Sequence, residues 1–292
     1  MHIDPYIVLG SAVVGLLVGL TGAGGGALMT PMLILLFGVS PAGAISSDLV
    51  AAVLMRPFGA GIHIKRGSVN GRLVALLMLG SVPMALLGAY ILHLLGQSGQ
   101  AERNIELALG AALLAGATAM VVRYVLDAGD WRNRDARVHE ISVHPARTAA
   151  IGMIGGVIVG MTSVGAGSLM IVLLLFLYPT IAAKQLVGTD LTQAVPLTLA
   201  AAIGALAFGH VELPVTASLV LGSVPGVIVG SLLSSSAPDR YTRPAITFVI
   251  FASGLKYVGV GTTALGWSLC GTLLCAAGGW LLLSRPWQRA AD

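Results

Sequence analysis

Nine apolar runs separated by short polar breaks make up most of the chain. Seven of them, 42–64, 73–95, 105–126, 181–208, 214–233, 245–260 and 265–283, suit single membrane-crossing helices, which need about 20 apolar residues. The other two, 6–37 and 149–178, are too long for one straight span, and each is interrupted by glycine near its middle. The first interruption reads Thr21-Gly22-Ala23-Gly24-Gly25-Gly26, a poor helix-forming run. The pattern therefore predicts two helix–turn–helix segments, with fresh short helices starting near Ala27 and near Ser168.

The two interruptions belong to a longer internal similarity. Gly15–Met29 (GLLVGLTGAGGGALM) aligns with Gly156–Met170 (GVIVGMTSVGAGSLM) at an offset of 141. One inserted residue later the offset is 142, and Ser47-Asp48-Leu49 falls on Thr189-Asp190-Leu191, Gly67 on Gly209, Gly80-Ser81-Val82-Pro83 on Gly222-Ser223-Val224-Pro225 and Gly88 on Gly230. A single register over such a length marks a duplication. The expected organisation is a first transmembrane repeat at 1–126, a linker at 127–147, a second repeat at 148–263 and a C-terminal transmembrane helix and tail at 264–292.

Composition agrees with a membrane solvent: 56% of the 292 residues are apolar and 10% are charged. The net charge of +4 needs no nucleic-acid partner, because basic residues gather in cytoplasmic loops. The N-terminal Met1-His2-Ile3-Asp4-Pro5 lacks the features of a cleaved signal, so the first apolar run is expected in the mature protein. Charge also selects the topology. If both glycine-broken runs cross the membrane, fourteen basic loop residues divide eight to six. If both are hairpins, thirteen share one side and only Arg103 lies opposite. The positive-inside rule selects the hairpins, with the N-terminus outside and the C-terminus cytoplasmic. The fold expected is all-α integral membrane: two inverted-topology repeats, each a re-entrant hairpin plus three transmembrane helices, and one extra helix, about seven full spans.

Inversion brings the two turns together near the midplane. Irregular backbone at that depth survives only when it is buried or lines a polar cavity, and two helix N-termini aimed at one point favour an anion. Thr21, Thr162, Ser163 and Ser168 add hydroxyl donors. Gly15, Gly19, Gly156 and Gly160 are read instead as helix-packing positions. Asp48 and Asp190 hold equivalent places and are read either as helix caps or as coupling groups for a proton or cation. Arg56, mid-span with Thr198 at its counterpart, offers bidentate bonds to a sulfonate. Lys256 is expected to snorkel to the cytoplasmic surface, and Pro83 and Pro225 to kink their helices, with neighbouring hydroxyls taking up the freed carbonyls.

The Thr-Gly-x-Gly-x-Gly turn in a duplicated chain, followed by Pro41, Ala44 and Asp48, resembles the sulfite exporter TauE/SafE family over most of the chain. The resemblance implies a bacterial inner-membrane permease for sulfite, sulfoacetate or other organosulfonates. Its turn residues carry over to Thr21, Gly22, Gly24, Gly25 and Gly26, and in the second copy to Thr162, Gly165 and Gly167, where Ser163 and Ala166 replace glycine.

The reading is a secondary transporter, not an enzyme, with no cofactor, no metal and no nucleic-acid partner. It works in a lipid bilayer on a small anionic substrate, with a coupling proton or cation, and leaves a homodimer open. The substrate-binding candidates are Thr21, Gly22, Gly24, Gly25, Gly26, Arg56, Thr162, Ser163, Gly165, Gly167 and Ser168; the coupling candidates are Asp48 and Asp190. The alternatives are an uncoupled anion channel and a cation permease using the two aspartates.

Overall fold

A computed structural model of the chain describes residues 3–21, 25–65, 69–96, 101–128, 143–165, 167, 169–178, 181, 183–209, 211–233 and 239–260. Among the described residues are ten helices and no strand: α1 (Pro5–Thr21), α2 (Gly26–Phe37), α3 (Pro41–Lys65), α4 (Gly71–Gly96), α5 (Ala101–Ala128), α6 (Pro145–Thr162), α7 (Leu169–Leu177), α8 (Ala183–Phe208), α9 (Leu213–Leu233) and α10 (Asp239–Val258). The expected helix at 265–283 lies outside the described residues.

Large apolar side chains cover much of the surface, and a set of polar residues is buried among the apolar core. Tyr6, Leu9, Leu36, Leu79, Phe176 and Leu232 are exposed, whereas Ser47, Asp48, Ser81, Thr189, Asp190 and Gln193 are fully buried. Such a surface suits lipid rather than water. Five described stretches are long and apolar enough to cross a membrane: 71–95, 103–122, 145–162, 188–208 and 213–230. The expected span at 42–64 forms the 25-residue α3, which carries Ser46, Ser47, Asp48 and Arg56 among its apolar residues.

Both glycine-broken runs fold back on themselves. Gly10 of α1 faces Met32 and Phe37, while Gly25 lies near Val18, so α2 returns antiparallel to α1. At 17 and 12 residues, α1 and α2 reach only about 26 and 18 Å at 1.5 Å per residue, short of a hydrocarbon core of about 30 Å. Left-handed Gly38 ends α2, its N–H bonded to the Leu33 carbonyl. In the second hairpin α7 returns along α6, with Gly155 against Met170 and Gly165 near Ile158 and Val159. The Tyr178 hydroxyl ties its open end by accepting the His144 N–H at 2.9 Å and sharing a hydrogen bond with Thr148. By length and composition α6 would also suit a full span, so pattern alone did not distinguish this hairpin arm from a crossing helix.

Close helix packing rests on glycine at matching positions. A Cβ on Gly15 would strike the backbone of Ser223, and one on Gly156 the backbone of Ser81. Likewise Gly80 abuts the Ala149 carbonyl and Gly222 that of Val8, while Gly88 meets Val157 and Gly230 meets Leu16. These partners differ by the same 141 or 142 residues found in the sequence. Helix α1 thus lies along α9 as α6 lies along α4, both pairs parallel. At the centre α3 and α8 run antiparallel, and each is bonded to the connection that follows the other: Asn70 N–H, before α4, to the Thr189 hydroxyl at 3.1 Å and Glu212 N–H, before α9, to the Ser47 hydroxyl at 3.2 Å.

One side-chain expectation is corrected. Helices α4 and α9 continue through Pro83 and Pro225, but the nearby Ser81 hydroxyl donates to Gln193 Oε1 at 3.2 Å rather than to a freed carbonyl, and Ser223 Oγ has no partner among the described residues. Lys256 is exposed on the last turn of α10, at the end where Arg103 donates to the Tyr257 and Val258 carbonyls at 3.2 Å each. Arg103 is held there as a cap on the negative end of α10.

Candidate functional site

The site grows from the two turns. Helix α6 stops at Thr162 because Ser163 adopts a left-handed conformation, φ 58° and ψ −4°, with its N–H bonded to the Val159 carbonyl at 2.8 Å. The Thr162 hydroxyl is occupied in holding this turn: it donates to the Ile158 carbonyl at 2.7 Å and accepts the Val164 N–H at 3.2 Å. It is therefore not a free donor for a ligand, as the sequence reading had it. Gly165 and Gly167 follow at φ 118° and 93°, a region L side chains rarely enter.

In the first turn Gly25 caps α2 in a helical conformation, and its carbonyl accepts the Leu28 and Met29 amides at 3.0 and 2.9 Å. A Cβ on Gly25 would find ordinary room, 3.5 Å from Met55 Cε, but one on Gly26 would overlap the Ser163 carbonyl. The two turns touch at Gly26 and Ser163. Gly22, Gly24 and Ser168 lie outside the described residues, and Thr21 is described only as the last residue of α1.

Beside this contact sits a buried polar cluster. Asp48 and Asp190 each lie seven residues inside their helices, α3 and α8, so neither caps a helix start. Asp48, 1% exposed, accepts the Thr30 hydroxyl on Oδ2 at 2.9 Å, while its Oδ1 has no hydrogen-bond partner among the described residues. The Ser163 hydroxyl faces the same carboxylate, yet it too makes no hydrogen bond among the described residues. Asp190 Oδ1 accepts from Gln193 Nε2 at 3.4 Å, and Gln193 is itself held by Ser81.

Arg56 lies within electrostatic reach of both carboxylates. Its Nη2 is buried without a hydrogen-bond partner among the described residues. A buried, unbonded guanidinium nitrogen is costly, and it leaves a strong donor available to an anionic ligand. At the counterpart position, Thr198 spends its hydroxyl on the Ala194 and Val195 carbonyls.

Geometry thus gathers Gly25, Gly26, Ser163, Asp48, Asp190 and Arg56 from the sequence candidates, and adds Thr30, Gln193 and Ser81. The missed residues had a faint signal. Thr30 is a polar side chain one turn into an otherwise apolar short helix, and Gln193 lies one turn beyond Asp190.

Residues 7–257 match the family model described as "Sulfite exporter TauE/SafE". The chain is 40% identical over 253 residues to "Probable membrane transporter protein YjnA" of Bacillus subtilis (strain 168), covering 86% of this chain and 98% of the relative. "Probable membrane transporter protein YdhB" of the same organism is 22% identical over 250 residues, covering 85% and 98%. No solved structure gives a significant match. With the family model spanning most of its length, this chain belongs to the sulfite exporter TauE/SafE family.

Proposed function

We propose that the protein is a secondary transporter that carries small sulfur oxyanions or organosulfonates, such as sulfite or sulfoacetate, across the bacterial inner membrane without altering them chemically. The two halves, 1–126 and 148–263, act as inverted repeats that rock about the paired turns and expose the site to each side in alternation. The observation that carries this reading is the contact of Gly26 with Ser163, which joins the two turns beside the unbonded Arg56 nitrogen. Arg56 supplies the positive charge and the N–H groups of the turns supply dipoles. Asp48 and Asp190 serve coupling, and the excess of basic residues puts the C-terminus in the cytoplasm.

Purified full-length protein in vesicles, given labelled sulfite or sulfoacetate, tests the reading. A pH gradient should drive either anion uphill. Movement only down the anion's own gradient indicates an uncoupled channel and contradicts the coupled mechanism. The paired carboxylates favour a second reading, a cation permease. Transport of a divalent metal that no sulfur anion inhibits would establish that reading instead.

A further inference from the structure

The duplication makes Asp48 and Asp190 counterparts, but their surroundings have diverged. Asp190 is backed by the Gln193 amide, and Arg56 lies within electrostatic reach of both carboxylates. In the first half the position of Gln193 is Ala51, and the position of Arg56 in the second half is Thr198. Asp48 is surrounded instead by hydroxyls, those of Thr30 and Ser163, whose counterparts are Ile171 and Gly22. No amide group donates to its carboxylate among the described residues.

The charges facing one another here are two carboxylates and one guanidinium, a sum of −1. Thr30 on α2 and Ser163 after α6 are neutral. A further carboxylate, Glu212 just before α9, gives its N–H to the Ser47 hydroxyl but turns its side chain to Ser40, at the exposed start of α3. A net charge in a fully buried site is expensive. One proton removes it.

We infer that Asp48, and not Asp190, takes up and releases the coupling proton, the neutral acid donating from Oδ1 to the Ser163 hydroxyl while Thr30 donates to Oδ2. The step is a simple protonation, carboxylate plus H⁺ giving carboxylic acid, with no bond made or broken elsewhere. It supplies a partner to both groups that lack one, since Oδ1 becomes a donor and Ser163 Oγ an acceptor. Asp190 stays ionised as the fixed partner of Arg56. A sulfur anion arriving at Arg56 adds negative charge beside Asp48, and the neutral acid escapes that repulsion. The inference rests on the transport reading above for its role in coupling, but the proton site itself does not.

Infrared difference spectra of the full chain in lipid vesicles, recorded as the pH is stepped, read the acid form directly. A carboxylic C=O band should appear on acidification, be lost in Asp48→Asn and persist in the charge-balanced double variant Arg56→Gln/Asp190→Asn. In Thr30→Val, where the acid remains but its C=O loses a donor, the band should shift in frequency. A band that survives Asp48→Asn, vanishes in the double variant, or stays fixed in Thr30→Val overturns the assignment. Sulfite and sulfoacetate added at constant pH should both strengthen the band. If the variants behave as stated and neither anion alters the band, the substrate reading falls while the proton assignment stands.

Discussion

Gly26 has no room for a side chain, because the Ser163 carbonyl occupies the place a Cβ would take. Gly26→Ala should therefore cost about 1–3 kcal/mol through overpacking and separate the two turns. Gly61, in the interior of α3 with nothing within 4 Å of its Cβ position, is the control, since Gly61→Ala should be neutral or stabilising by about 0.5–1 kcal/mol. Melting temperatures of the two variants in detergent check this pair, and equal melting would remove the close contact at Gly26. At this scale the sequence displayed the residues whose chemistry is intrinsic: glycine runs, and ionisable groups in apolar surroundings. It did not display partners. Thr30 and Asp48 meet across 18 residues and Ser81 and Gln193 across 112, so nothing local could pair them. The Thr162 hydroxyl looked available until its own helix and turn were seen to occupy it.

At the scale of helices, packing depends on backbones that touch through glycine. Gly80 and Gly222 occupy equivalent contacts, against Ala149 and Val8. Gly80→Val and Gly222→Val should both destabilise the protein strongly and by similar amounts, which chemical unfolding of each variant measures; a large loss in one with none in the other would contradict equivalent roles. The reciprocal bonds that Ser47 of α3 and Thr189 of α8 make to the starts of α9 and α4 give a milder pair: Ser47→Ala and Thr189→Val should each cost about 0.5–1.5 kcal/mol. Helix positions were largely legible, since apolar run length and glycine interruption report local physics. For α6 run length was silent, because an 18-residue apolar helix can cross a membrane or turn back; the charge bias selected the hairpin, and α7 returns antiparallel along α6 as that reading expects. Helix α3 shows the opposite case, its hydropathy lowered because it faces protein rather than lipid.

For the whole molecule, the account requires that the α2–α3 and α3–α4 connections lie on opposite faces of the membrane. Ser40 and Arg72 are exposed at those two connections. In otherwise cysteine-free protein, Ser40→Cys should react with an impermeant maleimide from outside the cell, and Arg72→Cys only from the cytoplasmic side. Labelling of both from one side would refute the topology. The duplication was visible in one constant register of residues, whereas the divergence of the two aspartates was not, because it resides in neighbours brought together by folding. The most direct test is calorimetric titration of the purified full chain with sulfite and sulfoacetate, with acetate and a divalent metal as comparisons. The account predicts binding of the sulfur anions, weakened about tenfold or more in Arg56→Gln, as expected for loss of a charged hydrogen bond. Binding of the metal alone, or sulfur-anion affinity unchanged in Arg56→Gln, would contradict it.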